Sequence, residues 1–446
     1  MAIYVINPFQ SSTPHFPIIG MIETYESMIW NPQLYARGAF QLVIPATDDN
    51  VNIVKDGRML VRECDIVQSS GTTYKNAMII RRVAITYDAD KGYMMVVSGK
   101  SVKDILSQRI IWDQYTCKNK SLPSAINDML QRNIIDPLAW VTSHLSDLQD
   151  IQDDLQEQMD QAQSDYLDAK ADYNQAVADY GADSPEAATA KAVMDAIYER
   201  IQGIAAQMGE NTKKITYYEW SQACQENRQI PYIYSGVTNP PASPPTITAE
   251  LRGENLGDWV EAVCMENRLG WDMVLTDNLI TFTFVVGTDR HTTVIFSPEF
   301  DNLKSSEYVK STEGYMNAGI VLGEGEGFSQ QCGEVGTAAG YARYEDIINT
   351  DISRETESGE ISVNDYIDMM IQYGKSELIT RMNKETFSGE LDTDGMFKIG
   401  EDFNMGDKVS VQNEVGISAT TRLIEIIYSD EASGYKTTGI FEEWEV

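Results

Sequence analysis

The 446-residue sequence has few of the side chains that build compact catalytic and metal sites. Its three histidines, His15, His144 and His291, are far apart in the chain. The five cysteines are an odd number, are also widely spaced and form no Cys-x-x-Cys pair: Cys64, Cys117, Cys224, Cys264 and Cys332. These spacings disfavour both a zinc site and a disulfide framework. Free thiols are typical of proteins that assemble in a reducing cytoplasm.

Long apolar segments and catalytic motifs are also missing. No stretch approaches the roughly 18 apolar residues of a membrane-spanning helix, so no membrane insertion is predicted. Neither Gly-x-Ser-x-Gly nor His-Glu-x-x-His occurs, and three histidines provide little general-base capacity near neutral pH. The sequence therefore predicts no enzyme activity, no cofactor and no metal site.

Positive charge is scarce, because 34 Lys and Arg residues stand against 68 Asp and Glu residues, a formal net charge of -34. An acidic surface repels the phosphates of nucleic acids and of anionic membranes. Two interpretations stay open: a solubilising charge, or a surface past which DNA slides without adhering. The length of the chain predicts several domains, and 42% hydrophobic residues can form their cores.

The pattern along the chain predicts strands at both ends and helices between them. Residues 1–110 contain short apolar runs separated by turns, which is typical of a small barrel or sandwich. Helical spacing begins near Ser101, recurs at 256–269 and returns from Asn364 to Asn383. The last fifty residues again alternate like strands, so we expect a multidomain α+β fold.

The clearest local pattern is an antiparallel helical hairpin over residues 144–210. Apolar residues recur there at alternating spacings of three and four, as in a coiled-coil seam. Gly181 is typical of a helix end, and Ser184 with Pro185 is typical of a helix start. The short linker forces the helices to fold back on each other over roughly 40 Å. The predicted seam consists of Leu145, Leu148, Leu155, Met159, Tyr166, Tyr173, Met194, Ile197, Ile201 and Ile204.

Two glycine-containing motifs are weak indicators of binding. The Gly-Glu-Gly-Glu-Gly run at 323–327 lacks the spacing of a dinucleotide site and places carboxylates where phosphate would bind, so it predicts a loop. The Asp-Thr-Asp-Gly run at 392–395 resembles the start of a calcium loop. Its twelfth position is Phe403 where that loop requires glutamate, so a simple turn is predicted.

Four further segments are distributed along the chain. The first combines Glu-Thr-Tyr-Glu-Ser-Met-Ile-Trp at 23–30 with the segment 35–45, which contains Arg-Gly-Ala-Phe. The second spans 97–111, and the third is the acidic glycine loop at 323–327. The fourth combines Gly-Asp-Lys-Val at 406–409 with Thr-Arg-Leu-Ile-Glu-Ile at 421–426. In this order, and over nearly the whole chain, they resemble the gene-product-37-like family of siphophage tail-tip hub proteins.

The resemblance implies two small β-barrel hub domains with a mixed α/β middle that carries the inserted coiled-coil hairpin. The implied domains are an N-terminal barrel (1–110), a two-segment α+β domain (111–143 with 211–290), the hairpin (144–210), an α+β connecting domain (291–390) and a C-terminal barrel segment (391–446). The hairpin departs from the simplest family pattern, so the resemblance assigns it no role.

In function, the resemblance implies a structural baseplate hub of the virion tail tip, assembled in the host cytoplasm. Three copies would adapt the six-fold tail to a three-fold tip around a channel for the tape measure protein and the ejected DNA. The implied partners are the distal tail protein ring, the tape measure protein and fibre or receptor-binding proteins, and the genome would pass without specific binding. No peptidase or lysozyme-like segment follows, so a fused lysin is not expected. A peripheral receptor-binding or fibre-attachment protein and a virion-associated cell-wall hydrolase are the alternatives.

Overall fold

The computed structural model describes the chain except residues 70, 91, 312, 351, 357–358, 382–384, 393–395, 433 and 444–446. It contains two compact units, residues 1–130 with 231–446 and residues 131–230. Of the expected turn at 392–395 only Asp392 is described, and the expected helix end at Asn383 lies outside the described residues. The mixed α+β fold predicted from the sequence is confirmed.

The first unit contains most of the strands. In its N-terminal part these are β1 (Ile3–Ile6), β2 (Ile18–Ile22), β3 (Ser27–Asn31), β4 (Ala39–Pro45), β5 (Met59–Arg62), β6 (Ile66–Gln68), β7 (Thr72–Tyr74), β8 (Met78–Asp88), β9 (Gly92–Ser101) and β10 (Tyr115–Ser121). In the middle they are β11 (Ile233–Thr238), β12 (Thr246–Leu251), β13 (Gly270–Thr276), β14 (Ile280–Val285), β15 (Ile295–Phe296), β16 (Leu303–Lys310), β17 (Ala318–Leu322), β18 (Cys332–Val335), β19 (Glu345–Asn349), β20 (Glu355–Thr356) and β21 (Gly359–Glu360). The C-terminal strands are β22 (Glu385–Leu391), β23 (Lys408–Gln412), β24 (Ser418–Glu431) and β25 (Gly434–Glu443).

Six α-helices accompany these strands among the described residues. They are α1 (Asp48–Ile53), α2 (Leu122–Leu130), α3 (Pro137–Tyr180), α4 (Pro185–Gln225), α5 (Leu256–Glu266) and α6 (Val363–Arg381). Short 3-10 helices connect several elements, and the one at Val102–Gln108 follows β9 directly.

Alternating side chains explain the strands. In β4, Phe40, Leu42 and Ile44 are buried on one face, while the residues between them are more exposed. In the β13–β14 hairpin Trp271 lies opposite Phe284 and Met273 opposite Phe282, so the large residues share one face.

The largest sheet has thirteen strands and joins both ends of the chain. Its order is β16-β22-β25-β24-β3-β4-β9-β8-β5-β1-β2, with β15 and β23 attached beside β24. The N-terminal and C-terminal strands join where β24 pairs with β3 in antiparallel orientation, with Tyr428 opposite Trp30. One hydrophobic core accordingly includes Trp30 and Leu42 from the N-terminal strands and Leu423 and Phe441 from the C-terminal strands.

The prediction of two separate small barrels is therefore wrong. Within the described part of the chain the sheet runs open from β16 to β2. The reason lies in the length of β24, which has 14 residues. Residues 418–422 of β24 pair with β23 on one edge and residues 421–431 pair with β25 on the other. The first edge is therefore free again further along the strand, where residues 428–430 pair with β3.

Four smaller sheets among the described residues complete the first unit, and two of them, β10-β12 and β20-β21, have only two strands. Strands β6 and β7 join β13, β14 and β11 in a five-stranded sheet, so the N-terminal strands also pair with the middle of the chain. Strands β18, β17 and β19 form a three-stranded sheet, and α6 packs on it through a core that includes Val321, Val335, Tyr366 and Met370.

The second unit is built on the helices α3 and α4. The Asp136 carboxylate accepts a hydrogen bond from the Ala139 N–H at 3.0 Å, and the Ser184 hydroxyl accepts one from the Ala187 N–H at 3.1 Å. These side chains satisfy backbone donors that have no partner within the first turn. Between the helices Gly181 has a φ of +89°, which favours glycine.

Both helices extend beyond the predicted 144–210 boundaries. The spacing of three and four continues backwards to Val141 and forwards through Asn211, Ile215 and Tyr218. At 1.5 Å per residue, α4 is roughly 60 Å long, against the roughly 40 Å expected.

Removing residues 147–208 and joining the ends with a short Gly/Ser bridge should leave the first unit folded. The ends to be joined are close in the intact protein, where the Asn211 side chain donates to the Leu148 carbonyl at 2.9 Å, two residues from each end of the cut. The sheet core contains no residue of the deleted segment. We expect a reduced helical circular dichroism signal and one cooperative thermal transition. Aggregation or loss of that transition would show that the hairpin is required for folding.

Candidate functional site

The loop between β3 and β4, residues 32–38, is the place where the first, second and fourth of the four family-like segments meet. Gly38 ends it with a φ of +60°, and a Cβ there would lie 2.4 Å from the Asn31 carbonyl oxygen. Only glycine fits such a close approach without strain. The loop is therefore held tightly enough to orient the side chains and carbonyls around it.

A buried lysine organises this loop. Lys103, in the 3-10 helix Val102–Gln108, is only 4% exposed. Its ammonium donates hydrogen bonds to the carbonyls of Gln33 at 2.7 Å, Leu34 at 3.1 Å and Ala36 at 3.2 Å. It also lies 4.7 Å from the centre of the Trp271 ring, which adds a cation–π attraction. All three ammonium donors therefore have carbonyl acceptors.

Burial shifts the acid–base behaviour of this lysine and its neighbour. Desolvation lowers the pKa of Lys103 to about 8, although Asp272 opposes the shift. Desolvation likewise raises the pKa of the Asp272 carboxyl. Both shifts favour the neutral form, as expected for groups removed from water.

An arginine on the same loop links it to α5. Arg37 contacts Asp258 at 2.5 Å and Glu261 at 3.0 Å. It also lies 3.9 Å from Asp104, which forms a 2.8 Å ion pair with Arg81 of β8. The arginine thus joins the loop, the 3-10 helix and α5 in one charged network.

The loop also contacts the C-terminal strands. The Leu34 N–H donates to the Ile424 carbonyl at 2.7 Å. The Tyr35 hydroxyl donates to Glu442 at 2.5 Å and accepts from Arg422 at 3.1 Å. Burial raises the pKa of Tyr35. The first and fourth family-like segments are therefore in direct contact.

The Gly-Asp motif at 406–407 fixes the start of β23. The buried Asp407 carboxylate accepts hydrogen bonds from the Thr288 N–H at 2.7 Å and the Asn404 N–H at 2.9 Å, and from Arg290 at 3.0 Å. Gly406 has a φ of +90°. This arrangement holds two loops together and is structural in character.

The acidic glycine loop at 323–327 is held by a tyrosine of α6. The Tyr366 hydroxyl accepts from the Glu324 N–H at 2.8 Å and donates to the Ile352 carbonyl at 3.1 Å. A Cβ on Gly323 would lie 2.3 Å from that hydroxyl. The glycine at this position makes room for the hydroxyl that fixes the loop.

The ten residues of the predicted seam all lie on α3 or α4. Leu145 and Leu148 belong to a core with Val141 and Tyr218. Leu155, Met159 and Ile204 form a second core, against which Ile201 packs. The Tyr166 ring lies 6.0 Å from that of Tyr198. The other three are half-buried: Tyr173, Met194 and Ile197.

The sequence did not predict the structural roles of two buried polar residues, Asn211 and Lys103. Asn211 continues the seam spacing after Met208, and its side chain donates to the Leu148 carbonyl and to Gln152 at 3.0 Å. Lys103 lies between apolar Val102 and Ile105. In both cases a polar residue stands at a position where the pattern expects an apolar one. This indicates a buried polar group, but the sequence does not identify the group that it contacts.

The described residues offer little for a catalytic or metal centre. Within them, no group of three or more His, Cys, Asp and Glu side chains could hold a metal ion. The five cysteine thiols are free. None of the helices described is both long and apolar enough to cross a membrane.

Comparison with solved structures finds several phage tail and secretion proteins that are similar to this chain to different degrees. A 43 kDa tail protein of prophage MuSo2 from Shewanella oneidensis matches with a TM-score of 0.50 at 11% identity, over 99% of this chain and 98% of that one. A tail protein from Neisseria meningitidis MC58 gives 0.48 at 10% identity, over 99% and 96%. An Escherichia coli type VI secretion component described as similar to T4 tail proteins gp27 and gp5 gives 0.39 at 7% identity, over 94% and 74%. The match to the Shewanella protein shows a phage tail protein fold.

Comparison of the sequence with curated proteins and with family models identifies the family. No curated protein matches the sequence. The family model for the siphovirus ReqiPepy6 Gp37-like protein matches residues 4–170 and 200–441. The chain therefore belongs to this siphovirus tail protein family and is a structural component of the phage tail. The resemblance to this family predicted from the sequence is confirmed.

Replacing Lys103 with methionine should lower the free energy of unfolding by roughly 1–3 kcal/mol, because three loop carbonyls lose their donor. The difference in stability between wild type and variant should widen above about pH 8, the pKa of Lys103 in the folded protein. The pKa of lysine in the unfolded chain is about 10.4. Between these two pH values the unfolded wild type binds more protons than the folded one, so wild-type stability rises with pH in that range. Urea unfolding at several pH values measures both effects. Lys100→Met, on the exposed part of β9, is the control, and an equal loss in it would contradict this role.

Replacing Asp407 with asparagine should destabilise the first unit by about 1–3 kcal/mol. The amide keeps the size, but its NH2 group would face N–H donors, and the charge that attracts Arg290 is lost. Chemical unfolding measures the change. The Asp56→Asn variant, at an exposed turn position of the same unit, should stay within roughly 0.5 kcal/mol of wild type. Equal stability of all three proteins would rule out the stabilising role of Asp407.

Proposed function

We propose that the chain is the hub subunit of the siphovirus tail tip, present as a homotrimer. The observation that carries this proposal is the family match to both ends of the chain, residues 4–170 and 200–441. The shared core of the N- and C-terminal strands supports it, since it unites them in one sheet. A rigid body of this kind suits a ring that adapts the six-fold tail to a three-fold tip.

In this proposal the ring encloses a channel for the tape measure protein and the ejected genome. The net charge of -34 supports such a role, because an acidic wall makes no lasting contacts with DNA phosphates. The distal tail protein ring would bind one side of the hub. Fibre or receptor-binding proteins would attach at the tip.

We propose that the helical hairpin connects the hub to a neighbouring tail protein. Residues 144–210 carry fifteen acidic and three basic side chains, so their partner would present basic groups. The ten predicted seam residues would keep the two helices paired. Asn211 would fix their register, as a single buried asparagine does in coiled coils.

A peripheral receptor-binding protein is the second candidate, and position in the virion separates it from a hub. A cell-wall hydrolase is the third. The lack of a metal-binding cluster within the described residues does not by itself decide against it, so activity must be measured.

The hub proposal predicts a location on the tail axis. Gold-labelled antibodies against the chain should mark the distal tip, and a cryo-EM map of intact tails should contain three copies around the axis. Copies confined to the periphery, or a number other than three, would contradict it.

Purified protein should not clear a suspension of host cell walls. A turbidity assay with lysozyme as positive control measures this directly. Clearing by the wild-type protein would favour the hydrolase.

A further inference from the structure

The β8–β9 hairpin carries an apolar face beyond the core. Val97 and Met95 of β9 are buried, and they lie opposite Val83 and Ile85 of β8. Further out on the same face, Tyr87 lies opposite Tyr93, with ring centres 5.0 Å apart. Ile85 is 51% exposed, Tyr87 67% and Tyr93 63%. The face that forms the core therefore continues into solvent.

The outer edge of β8 is also open. Its pairing with β5 is confined to Met78 and Ile79, and among the described residues no strand pairs with the other edge of residues 82–88. Val-Ala-Ile-Thr-Tyr at 83–87 is rich in strand formers and has no proline or charge. Folded proteins normally protect such an edge with charge, proline, a bulge or a cover. In β8 a bulge between Ile80 and Arg82 and the charges of Arg82 and Asp88 flank the segment, but residues 83–87 themselves have none of these devices. Such an edge beside exposed apolar groups can pair with a strand of another chain.

The charge of the hairpin indicates what that chain is. Residues 78–101 contain four basic and two acidic side chains, a net charge of +2 within a chain of -34. Arg82 and Lys100 are exposed there. The rest of the chain is strongly acidic, so a second copy offers the complementary charge.

The same charge argues for a ring. If the β8 edges of two copies paired with each other across a two-fold axis, each hairpin would meet the positive surface of the other. In a cyclic trimer each contact joins two different patches, and the hairpin of one copy can meet an acidic surface of the next.

We propose that the β8–β9 hairpin is the surface through which one copy of this chain binds the next. The inference rests on the proposed homotrimer and specifies its contact. The exposed apolar side chains Ile85, Tyr87 and Tyr93 would be buried there, and the edge of β8 would gain hydrogen-bond partners.

The test compares the full-length wild-type protein with an Ile85→Glu/Tyr87→Glu variant by sedimentation velocity over a concentration series. We expect a wild-type trimer and at least about tenfold weaker association in the variant. Ile347→Glu, at a strand position 57% exposed in β19, is the matched control and should associate like wild type. Circular dichroism and thermal unfolding check that each variant is folded. Arg82→Glu should weaken association and reduce its salt dependence.

A photo-crosslinking residue at Thr86 gives a second measurement that does not require a destabilising change. We expect crosslinks between two copies of the chain. A wild-type trimer that persists in the double-glutamate variant, with crosslinks only inside one chain, would overturn this surface and leave the hub proposal standing. A wild-type protein that is monomeric at all concentrations and forms no crosslinked pairs would overturn the self-association surface, while the position of the chain in the tail would still test the hub.

Discussion

The arrangement of the first unit depends on a buried lysine, Lys103, and the loop that surrounds its side chain. An ammonium group removed from water is costly unless acceptors replace its hydration. Lys103 meets that requirement with three carbonyls of the 32–38 loop. The dependence is mutual, because a tight loop exposes inward carbonyls that also need donors. The loop conformation and the burial of the lysine therefore require each other.

This loop determines where distant parts of the chain meet. It connects β3 to β4, so its conformation sets the spacing of two strands in the large sheet. Its Leu34 N–H and Tyr35 hydroxyl bind residues more than 380 positions away in the sequence. Once these contacts form, the far half of β24 lies beside β3 and the two strand sets share a core. A small local constraint thus unites what the sequence presents as two separate β-regions.

Features that depend on neighbouring residues could be predicted from the sequence, whereas contacts between residues far apart in the chain could not. The hairpin was predictable because its seam spacing, Gly181 and Ser184 are local signals within a few residues. Its length was underestimated, since Asn211 interrupts the apolar series at a buried position. The strands were also predictable from alternation, but their partners were not. The pairing of Trp30 with Tyr428 and the contact of Lys103 with Leu34 depend on chain geometry, which residue types alone do not encode.

The acidic residues of the helical hairpin and those of the first unit differ in their surroundings. Residues 144–210 contribute -12 of the total -34, about a third of the charge from a much smaller share of the chain. Most of these carboxylates lie on exposed helix faces, where water screens them and they cost the fold little. In the first unit several acids are engaged in holding loops, as Asp104, Asp258 and Asp407 show. In the proposed hub, a channel wall built from the first unit would have only the remaining acids of that unit to repel DNA. The total charge of the chain overstates that repulsion, and the proposed basic partner would account for the charge of the hairpin.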